Sequence, residues 1–159
     1  MTNQLIVKMV LDGWNAQVQN ANKLFNELSD TQFQNEIAPG RNRGIYLLGH
    51  LIVVNDKMLP LLGFGPQLLP QLDEVFLSKP DKSVGEIPKV DELKKQWNTS
   101  VTELSKHFNS LNTEEWFTKH TAVSEEDFKK EPHRNKLNVI MSRTGHLTYH
   151  LGQLNLLKK

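Results

Sequence analysis

The sequence predicts an all-α protein, a four-helix bundle. Four stretches carry apolar residues at steps of three and four. No run alternates with a period of two long enough to require a sheet. Turn-forming glycine and proline gather between the stretches. A length of 159 residues suits a single domain, 1–159, large enough to bury a core without disulfides or structural metals.

The first stripe runs Val7, Leu11, Trp14, Val18, Ala21, Phe25 and Leu28, predicting a helix over 3–29. Ser29-Asp30 and the "APG" of 38–40 mark a break. Ile45, Leu48, Ile52, Leu59 and Leu62 then resume the period up to Gly63, with Asn55 in one core slot as an expected hydrogen-bonded core residue. A second row, Leu47, Leu51, Val54 and Met58, makes this helix apolar over most of its circumference, as a helix packed against several neighbours requires.

Residues 63–89 hold Gly63, Gly65, Gly85, Pro66, Pro70, Pro80 and Pro88 and read as a crossover, with a short helix in "QLLPQLDEVFLS". Val90, Leu93, Trp97, Val101, Leu104, Phe108 and Leu111 form a third stripe over 89–111. Thr113 is the expected N-cap of a short turn in "LNTEEWF", and the charged segment from Thr118 to Asn135 reads as a surface connection. Asn135 caps the fourth helix, whose stripe of Leu137, Ile140, Thr144, Leu147, Leu151 and Leu154 carries it to about Leu157.

Composition narrows the partners. With 19 basic and 18 acidic residues and no basic cluster, nucleic acid is not an expected partner. The N-terminus lacks the basic start and cleavage site of a signal peptide, and the apolar segment at 45–62 is interrupted by His50, Asn55, Asp56 and Lys57, so no membrane span is expected and the cytoplasm is the expected location. Cysteine is absent, which leaves histidine and oxygen as the ligands of any transition metal.

His146 and His150 in "RTGHLTYHLGQL" stand four apart, so both project from one helical face and can share a metal ion. They flank the core stripe on an edge shared with Arg143 and Gln153. His50, midway along the second helix in "YLLGHLIVVND", is the candidate third ligand, and Gly49 beside it permits close approach of a neighbouring helix. His120 and His133 lie in the charged connection, while His107 is placed to meet its helix C-terminus or water. An isolated His-x3-His is more often two surface imidazoles than a metal site; His50 narrows that gap without closing it. Leu147 stands where a zinc metalloprotease motif has its glutamate, so that mechanism is disfavoured. Trp14, Trp97 and Phe108 are read as core residues. Neither a serine-hydrolase elbow nor a phosphate-binding loop nor a carboxylate pair stands out.

"PGRNRGIYLLGHLIVVNDKMLPLLGFG" at 39–65, followed by "GHLTYHLGQL", resembles the DinB/YfiT-like superfamily over essentially the whole chain. The motifs that carry the resemblance are the Gly-His-Leu of the second helix and the His-x3-His-x-Gly-Gln of the fourth. It implies a bundle with a long crossover between helices two and three, an up-up-down-down topology and assembly as a homodimer. It further implies that His50, His146 and His150 hold a divalent metal, nickel, zinc or iron, completed by water. Members of that superfamily include S-transferases that use low-molecular-weight thiols, a thiol-dependent maleylpyruvate isomerase and candidate hydrolases. Two functions follow as expectations. In one, a thiol or water activated at the metal attacks a small-molecule substrate, with Arg143 or an arginine of "GRNR" attracting an anionic group and Tyr149 and Gln153 as substrate or supporting contacts. The alternative is a non-catalytic, stress-response type bundle that binds metal or a small ligand.

Overall fold

Each apolar stripe becomes a helix close to its expected ends. The computed structural model describes residues 2–158, with α1 (Asn3–Glu27), α2 (Asp30–Phe33), α3 (Gly44–Leu62), α4 (Val90–Ser110), α5 (Glu125–Lys130) and α6 (Lys136–Leu154). A 3-10 turn, Asn155–Leu157, carries the last helix to its expected end. Capping explains several boundaries. The Asn135 side chain accepts from the Asn138 N–H at 2.9 Å, and Gly63 closes α3 in the left-handed region at φ 79° while the Phe64 N–H bonds back to the Leu59 carbonyl at 2.8 Å.

Local chemistry hidden beneath the stripe pattern accounts for three departures. Ser29 and Gln32 form a reciprocal capping box that nucleates α2 inside the segment read as a break. Ser124 caps α5 within the charged connection, its side chain accepting from the Asp127 N–H at 3.0 Å. At "LNTEEWF" Thr113 holds the N-cap position as expected, but the capping side chain is that of Asn112, whose Oδ1 accepts from the Glu114 and Glu115 N–H groups at 3.0 and 3.1 Å.

The helix directions correct the expected up-up-down-down order. Lys158 pairs with Glu27 at 2.5 Å, Gln32 donates to the Leu157 carbonyl at 2.9 Å, and Lys94 reaches the Leu28 carbonyl at 3.5 Å. One end of the bundle therefore gathers the C-termini of α1 and α6 with the N-termini of α3 and α4. Phe64 and Phe108, near the C-terminal ends of α3 and α4, meet at the other end, 6.2 Å apart. The order is up-down-down-up. The short connection through α2 reverses the chain, whereas the crossover runs back the length of α3 and starts α4 parallel to it.

Anchors along α3 hold that crossover. The buried Asp56 carboxylate accepts from the Leu68 and Leu69 N–H groups at 2.8 and 2.9 Å. Lys57 pairs with Asp73 at 2.5 Å, Tyr46 donates to the Lys79 carbonyl at 2.8 Å, and Arg43 grips Asp81 with contacts down to 2.7 Å. Between these anchors the crossover forms a 3-10 turn, Pro70–Leu72, and a π-helical turn, Glu74–Ser78.

Trp14, Trp97 and Phe108 lie in the core as the stripes require, and the Trp97 indole N–H donates to Asn22 Oδ1 at 2.8 Å. Asn55 departs from expectation: it is buried, yet its Nδ2 has no hydrogen-bond partner among the described residues. Gly44–Leu62 has a mean hydropathy of 1.4 over its best window, enough by length and composition to cross a membrane despite the polar interruptions. That apolarity serves core packing, since 72% of the window is buried within the bundle.

Candidate metal centre

Antiparallel packing of α3 on α6 sets His50, in the first half of α3, against His146 and His150 in the second half of α6. The Nε2 atoms of His50 and His146 lie 3.2 Å apart, those of His150 and His146 3.1 Å apart, and all three ligand atoms fall within 4.8 Å of one another. Three nitrogens bound to a tetrahedral ion at about 2.0–2.1 Å sit about 3.3 Å from each other. The two separations from His146 fit that requirement, and the His50–His150 pair lies within 4.8 Å.

The opposite ring nitrogens explain why the Nε2 atoms converge. His50 Nδ1 lies 3.0 Å from the Phe76 carbonyl oxygen, which can only accept, so the ring donates there and its Nε2 carries a lone pair. Similarly, His150 Nδ1 lies 2.7 Å from Gln153 Oε1, and the Gln153 amide donates to the Tyr149 hydroxyl at 3.1 Å. Two fixed lone pairs therefore face His146 Nε2. Either a proton on that nitrogen or a cation in its place satisfies the arrangement. Such outer contacts are how metal-ligating histidines are ordinarily oriented.

Electrostatics keep the cluster neutral and able to ligate. Burial pushes the His50 imidazole below its ordinary value, with Arg143 adding to this and the Phe76 carbonyl opposing it. For His146, burial and then the nearby His150, His50 and Arg143 bring the value from 6.5 to about 4. His150 is also lowered, by burial first, against the Gln153 hydrogen bond. At neutral pH all three rings offer lone pairs rather than positive charge, as metal binding requires.

Gly49 completes the site. A Cβ on Gly49 would lie 2.3–2.5 Å from the Phe76 ring, so only glycine lets that fully buried ring seat against α3. The Phe76 ring occupies the close approach that sequence reasoning assigned to a neighbouring helix. Its seating brings the Phe76 carbonyl onto His50.

Residues 14–154 match the family model of the DinB superfamily. The chain belongs to the DinB superfamily. A solved structure, the conserved protein of a locus from Enterococcus faecalis, is similar in fold to this DinB-superfamily chain, with a TM-score of 0.57 at 12% identity, covering 94% of this chain and 97% of that one. No curated protein matches the sequence.

The remaining histidines of this DinB-superfamily protein stay apart from the cluster. His107 lies in the last turn of α4, as expected, and stacks on Phe64 with ring centroids 4.5 Å apart, its Nε2 3.3 Å from Glu103. His120 lies in the connection before α5, its Nδ1 buried and without a hydrogen-bond partner among the described residues. Arg143 is half-buried beside the cluster, its Nε without a hydrogen-bond partner and no carboxylate within ion-pair distance among the described residues. Gln153 supports His150, and Tyr149 is exposed at the edge of the site. Of the "GRNR" arginines, Arg43 is consumed by Asp81, whereas Arg41 stays exposed. Phe76 is the site residue that sequence reasoning missed.

Proposed function

We propose that this protein binds a divalent metal ion, nickel, zinc or iron, through the Nε2 atoms of His50, His146 and His150, and works as a metal-dependent transferase or hydrolase on a small molecule. The observation that carries this reading is the convergence of the His50 and His150 Nε2 atoms on His146 Nε2 at 3.2 and 3.1 Å, all three within 4.8 Å of one another, with two of the opposite nitrogens already engaged. A metal held by three neutral imidazoles keeps its full charge and makes a bound water or small thiol nucleophilic near neutral pH. The protein's own groups supply position and charge. The Phe76 carbonyl and the Gln153 amide fix two of the rings, Arg143 offers an unneutralised guanidinium to an anionic substrate group, and Tyr149 offers a polar contact at the site's edge.

Metal analysis after loading with nickel, zinc or iron tests the first step. The wild-type protein should retain near-stoichiometric metal and His146→Ala should not; equally negligible retention by both ends the proposal. A screen of electrophiles with small thiols and with water tests the second. Metal-dependent turnover lost in His50→Ala identifies the transferase or hydrolase, while metal retention without turnover leaves a binding protein.

A further inference from the structure

A cleft of about 310 Å³ opens beside His150, between the loop that precedes α3 and the end of α6. The buried Ile37 and Leu47 supply its apolar surface, and Arg41, Asn42, Tyr149 and Gln153 supply its polar surface. No carboxylate lines it. The volume is at the lower end of small-molecule pockets, and the exposed lining is more polar than apolar, which suits a polar or charged ligand with a small apolar body.

The loop that carries Arg41 is built to hold that residue over the cleft. The Ile37 N–H donates to the Asn42 carbonyl at 3.1 Å, the Gly44 N–H to the Asn35 carbonyl at 3.0 Å, and the Arg41 N–H to the Ala38 carbonyl at 3.0 Å. Gly40 takes the left-handed turn at φ 72°, and its N–H donates to Glu36 at 2.8 Å. The loop's other charges are neutralised, since Glu36 pairs with Lys82 and Arg43 with Asp81. Arg41 has no acidic partner among the described residues. The cleft wall is also wired to the cluster: Tyr149 hydroxyl to Gln153 amide at 3.1 Å, Gln153 oxygen to His150 at 2.7 Å.

We infer that this cleft binds a small carboxylate-bearing molecule, its carboxylate held by the Arg41 guanidinium and its apolar body against Ile37 and Leu47, with its other end toward His150. Arg41 is the one arginine that lines the cleft, and its planar guanidinium can hold a carboxylate through two parallel N–H bonds. The inference deepens the proposed function by naming a substrate class, and it rests on that reading only for what happens at the histidines.

The test uses the metal-free, isotope-labelled protein and two probes of the same shape, 3-phenylpropionate and 3-phenylpropan-1-ol, followed by nuclear magnetic resonance. The acid should shift the Arg41 Nε–H, Gln153 side-chain amide and Tyr149 signals, and should bind about tenfold more tightly than the alcohol, as one charge-assisted hydrogen bond implies. Arg41→Gln should remove that advantage, and Arg134→Gln, away from the cleft, should keep it. Equal binding of acid and alcohol overturns the inference, as does no binding at millimolar acid or an advantage that survives Arg41→Gln. Metal retention by the same preparation is scored separately, so failure of the metal site and failure of the cleft are told apart.

Discussion

Two imidazoles of one cluster are aimed by different means. The acceptor of His150 is local, a side chain three residues further along the same helix, so the pair is set once α6 forms. The acceptor of His50 is remote in sequence, a backbone carbonyl on the crossover, and it arrives only when Phe76 seats on Gly49 and Asp56, Tyr46 and Arg43 pin the chain along α3. Local support ties the site to one helix. Remote support ties it to the packing of the whole crossover, so ligand geometry at His50 is a tertiary property.

Breaking the remote arm should have the largest effect. Gly49→Ala places a methyl group within 2.5 Å of the Phe76 ring, an overpacking that costs about 1–3 kcal/mol of stability and displaces the carbonyl from His50. Metal affinity should fall about 10- to 100-fold, the range for loss of an outer contact, and the nitrogen shifts of His50 should show a mixed tautomer in the metal-free protein. Adding Phe76→Leu to that variant makes room for the methyl group and should recover part of both losses. Unchanged metal affinity in Gly49→Ala would show that the seating of Phe76 has no bearing on the site.

The local arm should matter less. Gln153→Ala removes the His150 acceptor but leaves the helix intact, so metal affinity should fall by about tenfold, at the lower end of the range for such contacts, and stability by about 1 kcal/mol or less. Competition against a chromophoric chelator reads the affinity, and denaturant unfolding reads the stability. A loss larger than that of Gly49→Ala would invert the comparison.

The same division decides what the sequence made legible. Local periodicity is written in consecutive residues, so the helices, the Asn135 cap and the shared edge of Arg143, His146, His150 and Gln153 could be read directly. His50 was legible because a polar ring interrupts a nearly continuous apolar helix. Phe76 carried no such signal: it stands in a proline-punctuated segment, and its role depends on a backbone carbonyl that every residue possesses. Helix direction was equally hidden, since it turns on whether the crossover returns along α3, which Asp56, Tyr46 and Arg43 decide through contacts distant in sequence. The distinction between Arg41 and Arg43 waited for Asp81.

Acid sensitivity should show the clearest sign. In the metal-free protein His146 is held at about 4 against an ordinary 6.5, so between those values the unfolded chain takes up a proton that the folded chain does not. Stability contributed by the neutral ring is complete above pH 6.5, declines as the pH falls toward 4, and levels off below. His50 and His150 are shifted in the same direction and steepen that decline. For His150 the Gln153 acceptor opposes burial, so Gln153→Ala should depress this ring further and make the acid slope steeper, while His146→Gln should make it shallower. Denaturant unfolding across this window checks both signs. Opposite changes in slope from two residues on one face of α6 would show that the imidazoles are held neutral by burial, with the local acceptor opposing it.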